Sequence, residues 1–298
     1  MAEGVLYQDG EFRSTEGATI SLFDTGFLHS DAVHDVVSTW KGYFFKLDEH
    51  LERFERSCEG FMLTNPHSRE DSATILAECV RRANIEDAYV EIIVTRGEYP
   101  DGSRDLRRAE NQFFAYAVPY VWIWGEEANR TGVNLHMSSV ERISERAVDP
   151  RCKNFHWGDL LHAKRDAYAA DCDDAALCGP DGFLAEGPGF NIFVIKDGRV
   201  ATPDSNCLEG VSREAAIELC EMEEIPIECR KVRPEELSEA DEAFATSTAG
   251  GIIPIVRIDG VPLGNGAPGL TTSRLAELYW SKREAGWCGR KVDDLIAR

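Results

Sequence analysis

Lys153 is the lysine whose neighbours could change its chemistry. It sits in Asp149-Pro150-Arg151-Cys152-Lys153-Asn154-Phe155-His156-Trp157-Gly158-Asp159, with aromatic residues on its far side and a helical pattern just beyond. Apolar surroundings disfavour an ammonium ion and lower its pKa, and a neutral amine is what condenses with an aldehyde cofactor. A solvated loop lysine is the competing reading, as it is for Lys41, Lys46, Lys164, Lys196, Lys231, Lys282 and Lys291, which stand in charged or turn contexts. A second feature is Leu184-Ala185-Glu186-Gly187-Pro188-Gly189-Phe190-Asn191, where one acid precedes a glycine-rich turn. A carboxylate at Glu186 could bond a pyridinium nitrogen and keep a flat ring electron-poor, and the glycines would let backbone approach that ring closely. A solvated turn acid is the plainer alternative.

Two donor-rich turns could hold a phosphate. Leu208-Glu209-Gly210-Val211-Ser212-Arg213 precedes a helical pattern, whose first N–H groups lack partners, and Ser212 adds a hydroxyl or acts simply as the N-cap. Thr246-Ser247-Thr248-Ala249-Gly250-Gly251 offers hydroxyls and pliable backbone of the same kind. Arg53, three residues after His50 on a helical run, carries the planar fork that suits a phosphate dianion, or is an exposed helix charge.

The elements that must position these groups are read from periodicity. Strands are expected at Val5–Tyr7 and Glu11–Arg13 around Gln8-Asp9-Gly10, at Val33–Trp40 and Tyr43–Phe45 around Lys41-Gly42, and at Tyr89–Thr95 and Gln112–Val118. Between them fall two amphipathic helices, one burying Leu51, Phe54, Cys58 and Phe61 or Met62, the other spanning Arg69–Ala83. Pro119–Gly125, rich in aromatics, reads as the connection to a second lobe. That lobe has strands near Val133–Val140, Ala175–Cys178, Phe190–Ile195, Arg199–Ala201, Ile227–Cys229, Glu242–Thr246 and Ile253–Ile258, and helices near Gly158–Ala170, Ser212–Met222 and Thr271–Arg283. Turns at Gly179-Pro180-Asp181-Gly182, Asp197-Gly198 and Asp259-Gly260 predict a largely antiparallel sheet. The domains expected are a small N-terminal α+β domain over 1–118, a connection over 119–130 and a large C-terminal domain over 131–298.

Composition narrows the class. A chain of 298 residues with 43% hydrophobic content can bury two cores. Its net charge of −21, from 53 acidic and 32 basic residues, argues against nucleic acid or anionic membranes as partners. The opening MAEGVLYQDGEF lacks a basic segment followed by an apolar run, so a cytoplasmic location is expected. Cysteines are scattered without a CxxC pair, which predicts free, mostly buried thiols and no metal site.

In this order the pieces resemble the fold type IV pyridoxal-phosphate enzymes, which include branched-chain and D-amino-acid aminotransferases. The likeness covers nearly the whole chain and is strongest to (R)-selective amine transaminases. It is carried by Phe27-Leu28-His29-Ser30-Asp31, Val90-Glu91-Ile92-Ile93-Val94-Thr95-Arg96-Gly97, Val118-Pro119-Tyr120-Val121-Trp122, the Lys153 and Glu186 blocks, and Thr248-Ala249-Gly250-Gly251. The resemblance implies a two-lobed, D-amino-acid aminotransferase-like α+β and α/β fold and a homodimer with active sites between lobes and near the subunit interface. It also implies pyridoxal 5'-phosphate as cofactor, an amine or amino acid donor and a keto acid acceptor.

Carried over, Lys153 is the Schiff-base lysine and proton shuttle, and Glu186 is the partner of the pyridine nitrogen. Phosphate contacts fall on Arg53, Val211, Ser212, Ser247 and Thr248. The substrate pocket falls on His29, His34, Tyr89, Glu91, Trp157 and Ala249, with Arg104 as a carboxylate-binding arginine. One departure stands out: Val33-His34-Asp35 replaces a Thr-Tyr-Asp run common in the amine transaminases, so an imidazole takes the place of a phenol. The reaction implied is ping-pong transamination from an (R)-amine or D-amino acid. The alternatives are a branched-chain L-amino acid donor, or 4-amino-4-deoxychorismate lysis, which would release pyruvate without an acceptor. A non-catalytic cofactor-binding protein would fail to react stoichiometrically with any amine.

Overall fold

In the computed structural model, which describes residues 4–296 and so leaves Met1–Glu3 of the opening run outside, strand reversals are set by four X-Gly pairs. Asp9-Gly10, Lys41-Gly42, Asp197-Gly198 and Asp259-Gly260 all have positive φ at both positions, 50–54° and then 71–79°. This is the mirror-image turn whose twist matches that of paired strands, and the second position favours glycine because it has no Cβ.

The chain divides into two units. The first holds Met1–Val121, Cys152–Phe155 and Arg283–Arg298. Its elements are β1 (Val5–Gln8), β2 (Glu11–Ser14), α1 (Thr25–His29), β3 (Ala32–Trp40), β4 (Tyr43–Phe45), α2 (Leu47–Gly60), α3 (Arg69–Ala83), β5 (Ala88–Glu98) and β6 (Glu110–Pro119). They form one sheet in the order β4-β3-β5-β6-β1-β2, with Gly289–Lys291 pairing antiparallel on the outer edge of β4. Asp48 and Glu49 complement the helix dipole at the start of α2, and Ser68 caps α3 by accepting from the Asp71 N–H. Leu47, Leu51, Phe54 and Cys58 of α2 join Ile75, Leu76, Cys79 and Val80 of α3 and the inner residues of the sheet in one core, to which Val292 and Leu295 also belong. Helix α2 stops at Gly60, leaving Phe61 partly buried against that core while Met62 is exposed.

Residues 152–155 and 283–296 therefore pack with the first unit, whereas the sequence predicts them in the C-terminal domain. Backbone pairing is the reason. The His34 N–H donates to the Lys153 carbonyl at 3.0 Å, Asn154 bridges Val33, and the terminal strand completes the β4 edge.

The second unit holds Trp122–Arg151 and His156–Lys282. It comprises α4 (Ala128–Thr131), β7 (Val133–Glu141), α5 (Gly158–Ala169), β8 (Asp174–Cys178), β9 (Asn191–Lys196), β10 (Arg199–Thr202), α6 (Val211–Met222), β11 (Ile227–Cys229), α7 (Pro234–Ser238), β12 (Glu242–Ser247), β13 (Gly251–Ile258), β14 (Val261–Pro262) and most of α8 (Leu270–Glu284). Its sheet runs β11-β10-β9-β12-β13-β7-β8, with β14 on β13. Pairings around β9, β10, β12, β13 and β14 are antiparallel, as the turns predict. The β10–β11, β13–β7 and β7–β8 pairs are parallel, because each joins strands separated by a helix or a long excursion and no turn residue announces them. The fold is thus a two-lobed α/β arrangement of the fold type IV kind. No helix among the described residues is long and apolar enough to cross a membrane.

Candidate active site

In the first unit Lys153 is half-buried and its backbone is held from two sides. Its N–H donates to Ser57 Oγ on α2 at 2.9 Å, while its carbonyl accepts from His34 on β3. Gly60 makes room for this strand, since a Cβ there would meet Cys152 Sγ at 2.4 Å.

Beside it, the buried His34 donates from Nδ1 to Glu91 Oε1 at 2.5 Å and stacks on Phe155 with centroids 4.3 Å apart. Glu91 also accepts from the Tyr116 hydroxyl, and the Tyr89 and Tyr116 rings lie 6.4 Å apart. His34 Nε2 is buried with no hydrogen-bond partner among the described residues. A second cluster lies along the same strand: Arg53 Nε and Nη2 grip the Asp35 carboxylate at 2.8 and 2.9 Å, and His50 Nδ1 meets it at 2.7 Å. Arg53 is buried, so it is not an exposed helix charge, and its fork is already engaged by Asp35.

The electrostatics of these clusters share one sign. Burial pushes His34 and His50 below their ordinary value of 6.5, with Lys153 and Arg53 respectively adding to the effect, against the pull of Glu91 and Asp35. Burial alone would raise the carboxyls of Asp35 and Glu91. The Arg53 and His50 contacts overcome it for Asp35, and His34, Tyr116 and Lys153 for Glu91, so both sit below the usual carboxylate range. For each of the four groups the unfolded chain takes up its proton at a higher pH than the folded one. Their stabilisation is therefore complete above the unfolded pKa and disappears as pH falls through the folded value. Urea midpoints are expected to decline on acidification from about pH 6.5, where unfolded histidine titrates, and more steeply below about pH 4. His34→Phe should flatten the first part of that decline; a midpoint that rose on acidification would contradict the assignment.

In the second unit Glu186 is buried rather than a solvated turn acid. Its Oε1 accepts from Arg142 Nε at 3.1 Å and its Oε2 from the Leu208 N–H at 3.0 Å. Arg142 is bound on its other side by Asp159, which also accepts the Ile143 N–H at 2.6 Å. Burial opposes the charge on Arg142, but Glu186 and Asp159 outweigh it and raise its pKa, so Glu186 faces a permanent cation.

Helix α6 begins at Val211 with Gly210 as N-cap and no side-chain cap, so Ser212 is inside the first turn rather than capping it. Gly210 is required by contact: a Cβ would lie 2.2 Å from Asn191 Oδ1, whose amide donates to the Leu208 carbonyl at 2.8 Å. Ser247 Oγ donates to the Gly189 carbonyl at 3.0 Å and accepts the Ala249 N–H at 3.2 Å. Trp157 lies over the same glycine, with its ring about a van der Waals contact from where a Cβ would stand. The Ile123 N–H donates to the Ala249 carbonyl at 2.8 Å, and Trp124 Nε1 to Asp174 at 3.0 Å, so aromatics of the Pro119–Gly125 run do pack.

The structure thus gathers Lys153, Arg53, His34, Tyr89 and Glu91 in one unit, and Glu186, Val211, Ser212, Ser247, Thr248, Ala249 and Trp157 in the other. His29 and Arg104 are exposed, on α1 and between two 3-10 turns, and join neither cluster. Sequence reading missed Arg142, Asp159, Tyr116 and the Asp35–His50 pair as partners. Only the three-residue step from His50 to Arg53 gave a local signal. The donor set suits a phosphorylated pyridine aldehyde: an uncapped helix start with a buried Ser212, a glycine-lined turn and a buried carboxylate paired with an arginine.

Comparison with known proteins agrees. Residues 32–258 match the family model for amino-transferase class IV. The chain is 31% identical to a putative branched-chain-amino-acid aminotransferase of Methanocaldococcus jannaschii over 92% of this chain and 94% of that protein. It is 29% identical to the D-alanine aminotransferase of Staphylococcus haemolyticus over 91% and 95%. Among solved structures, branched-chain aminotransferase from Thermoproteus uzoniensis with norvaline superposes with a TM-score of 0.89 at 27% identity, covering 97% of this chain and 99% of that one. The branched-chain amino acid aminotransferase from Thermobaculum terrenum, in its PLP form, does so at 0.87 and 26%, covering 98% and 99%. The chain belongs to the class IV aminotransferases, and it is a pyridoxal-phosphate-dependent transaminase.

Proposed function

We propose that the protein exchanges an amino group between a branched-chain L-amino acid and a 2-oxo acid in two half-reactions. The branched-chain relatives support the donor class. The observation that carries the chemistry is Lys153, whose backbone is fixed by Ser57 and His34 while its side chain lies within electrostatic reach of His34 and Glu91. Bound pyridoxal phosphate supplies an aldehyde and an electron sink. Lys153 Nζ would hold the cofactor and would move the proton at the substrate carbon. Glu186, paired with Arg142, would hold a proton on the ring nitrogen. In the second unit the start of α6 at Val211 and Ser212, with Ser247 and Thr248, would bind the phosphate; in the first unit Arg53, already shared with Asp35, is assigned to phosphate as well. Tyr89, Glu91 and His34 in the first unit, and Trp157 and Ala249 in the second, are the residues assigned to substrate.

His29 and Arg104 meet a substrate only with a second copy or a bound ligand in place. For the first, a homodimer is proposed on the exposed apolar run Leu22, Phe23, Phe27 and Leu28 that leads to His29.

A second reading, an (R)-amine or D-amino acid donor, is supported by the D-alanine aminotransferase relative and by the polar His34–Glu91–Tyr116 cluster. A half-reaction panel followed by loss of the cofactor's visible band decides between them. L-Leucine and L-valine should convert the enzyme roughly tenfold or more faster than L-alanine, as extra apolar groups in a fitted pocket do. Conversion by (R)-amines or D-amino acids alone would replace the first reading by the second.

A further inference from the structure

We propose that His136, Cys172 and Asp259 form a zinc site, with imidazole, thiolate and carboxylate as three ligands and water as the fourth. The three side chains come from β7, from the loop between α5 and β8, and from the turn between β13 and β14. Their donor atoms all lie within 4.8 Å of one another. Tetrahedral zinc, with bonds of about 2.0–2.3 Å, sets neighbouring ligand atoms about 3.6 Å apart, so a contraction of about 1 Å closes the set. His136 Nδ1 and Asp259 Oδ1, 2.6 Å apart, must instead separate by about 0.7 Å to admit the ion between them.

The ligands are held by a shared support. Asn134 Nδ2 donates to Cys172 Sγ at 3.3 Å, while its Oδ1 accepts the Gly260 N–H at 3.0 Å, so one side chain positions both the thiol and the turn that carries Asp259. The Asn134 N–H donates to the Asp173 carboxylate at 2.7 Å, and the Asp259 N–H to the Leu135 carbonyl at 2.8 Å. Arg257, a cation at this turn, is directed to the Gly260 carbonyl at 3.2 Å. Cys172 is buried, His136 half-buried and Asp259 exposed, which gives an ion an entry from solvent and leaves room for a water ligand.

Thiolate with imidazole selects a borderline-soft metal over magnesium or calcium. Binding forms one Zn–S, one Zn–N and one Zn–O bond. The thiol proton of Cys172 leaves to solvent and the proton between Nδ1 and the carboxylate moves to His136 Nε2, so one proton is released per ion. Sequence spacing hides the set, because its members lie far apart in the chain and meet only through parallel strand pairing.

Chelator-treated holoenzyme titrated with cobalt(II) tests the site. One equivalent per chain is expected to give visible d–d bands and a near-ultraviolet thiolate charge-transfer band in difference spectra, both displaced by zinc. Cys172→Ser should abolish the charge-transfer band and weaken zinc binding about 100-fold, and Asn134→Ala should weaken it about 10-fold while keeping the band. In the unmodified protein zinc should slow maleimide labelling of Cys172 and leave the exposed Cys229 and Cys288 unaffected, a readout that does not depend on any variant folding. A holoenzyme without the thiolate band, a band that survives Cys172→Ser, or labelling of Cys172 indifferent to zinc would each overturn the proposal.

Discussion

Lys153→Ala is expected to lower turnover by about 10⁴-fold or more, since one change removes both the covalent attachment point and the proton carrier. The fold should survive, because the Ser57 and His34 contacts use only the backbone of residue 153. Two readouts separate this from a structural defect. Borohydride treatment followed by peptide mapping should label residue 153 in the parent protein and nothing in the variant. A small added amine should restore part of the rate by replacing the lost base. A label on another lysine, or a variant that turns over at the parental rate, would remove Lys153 from the mechanism.

The largest effect on stability is expected from Arg142→Met, which leaves the buried Glu186 and the partly buried Asp159 without their shared cation. Breaking a buried pair from one side costs about 3–5 kcal/mol, because the remaining charge keeps its desolvation penalty without its partner. Glu186→Gln in the same background should recover part of this, with a coupling of about 0.5–3 kcal/mol in a double-mutant cycle read by urea unfolding. If Arg142→Met shifted stability by less than about 1 kcal/mol, Glu186 would have to be held by something other than this arginine.

What the sequence made legible was local. Asp9-Gly10 and its three counterparts announce their turns because φ is restricted residue by residue, and Arg69–Ala83 is bounded as expected because Ser68 and Asn84 are cap residues in their own right. Lys153 and Glu186 stood out through neighbours in the chain, an aromatic run and a glycine-rich turn. Arg142 did not, since 44 positions separate it from Glu186 and no periodicity links a strand end to a distant turn. Arg53 was legible as a cation but not as the partner of Asp35, 18 positions away, which changes what it has left to offer a phosphate. Ser212 was misplaced as a cap by two residues because the real cap, Gly210, is chosen by its close approach to Asn191. The parallel neighbours of β7 were likewise silent, as they depend on strand order rather than on any turn.

The outer edge of β4 is covered by residues 289–291, a strand synthesised after the second unit. While the ribosome is still making the second unit, the backbone groups along that edge have no partner from their own chain and can template pairing with another nascent copy. Three exposed or half-buried residues, Tyr43, Arg290 and Lys291, then put charge and bulk where that edge is finally closed. Expression yield should therefore fall when residues 289–291 are altered so that they no longer pair with β4, more than the modest size of that segment would suggest.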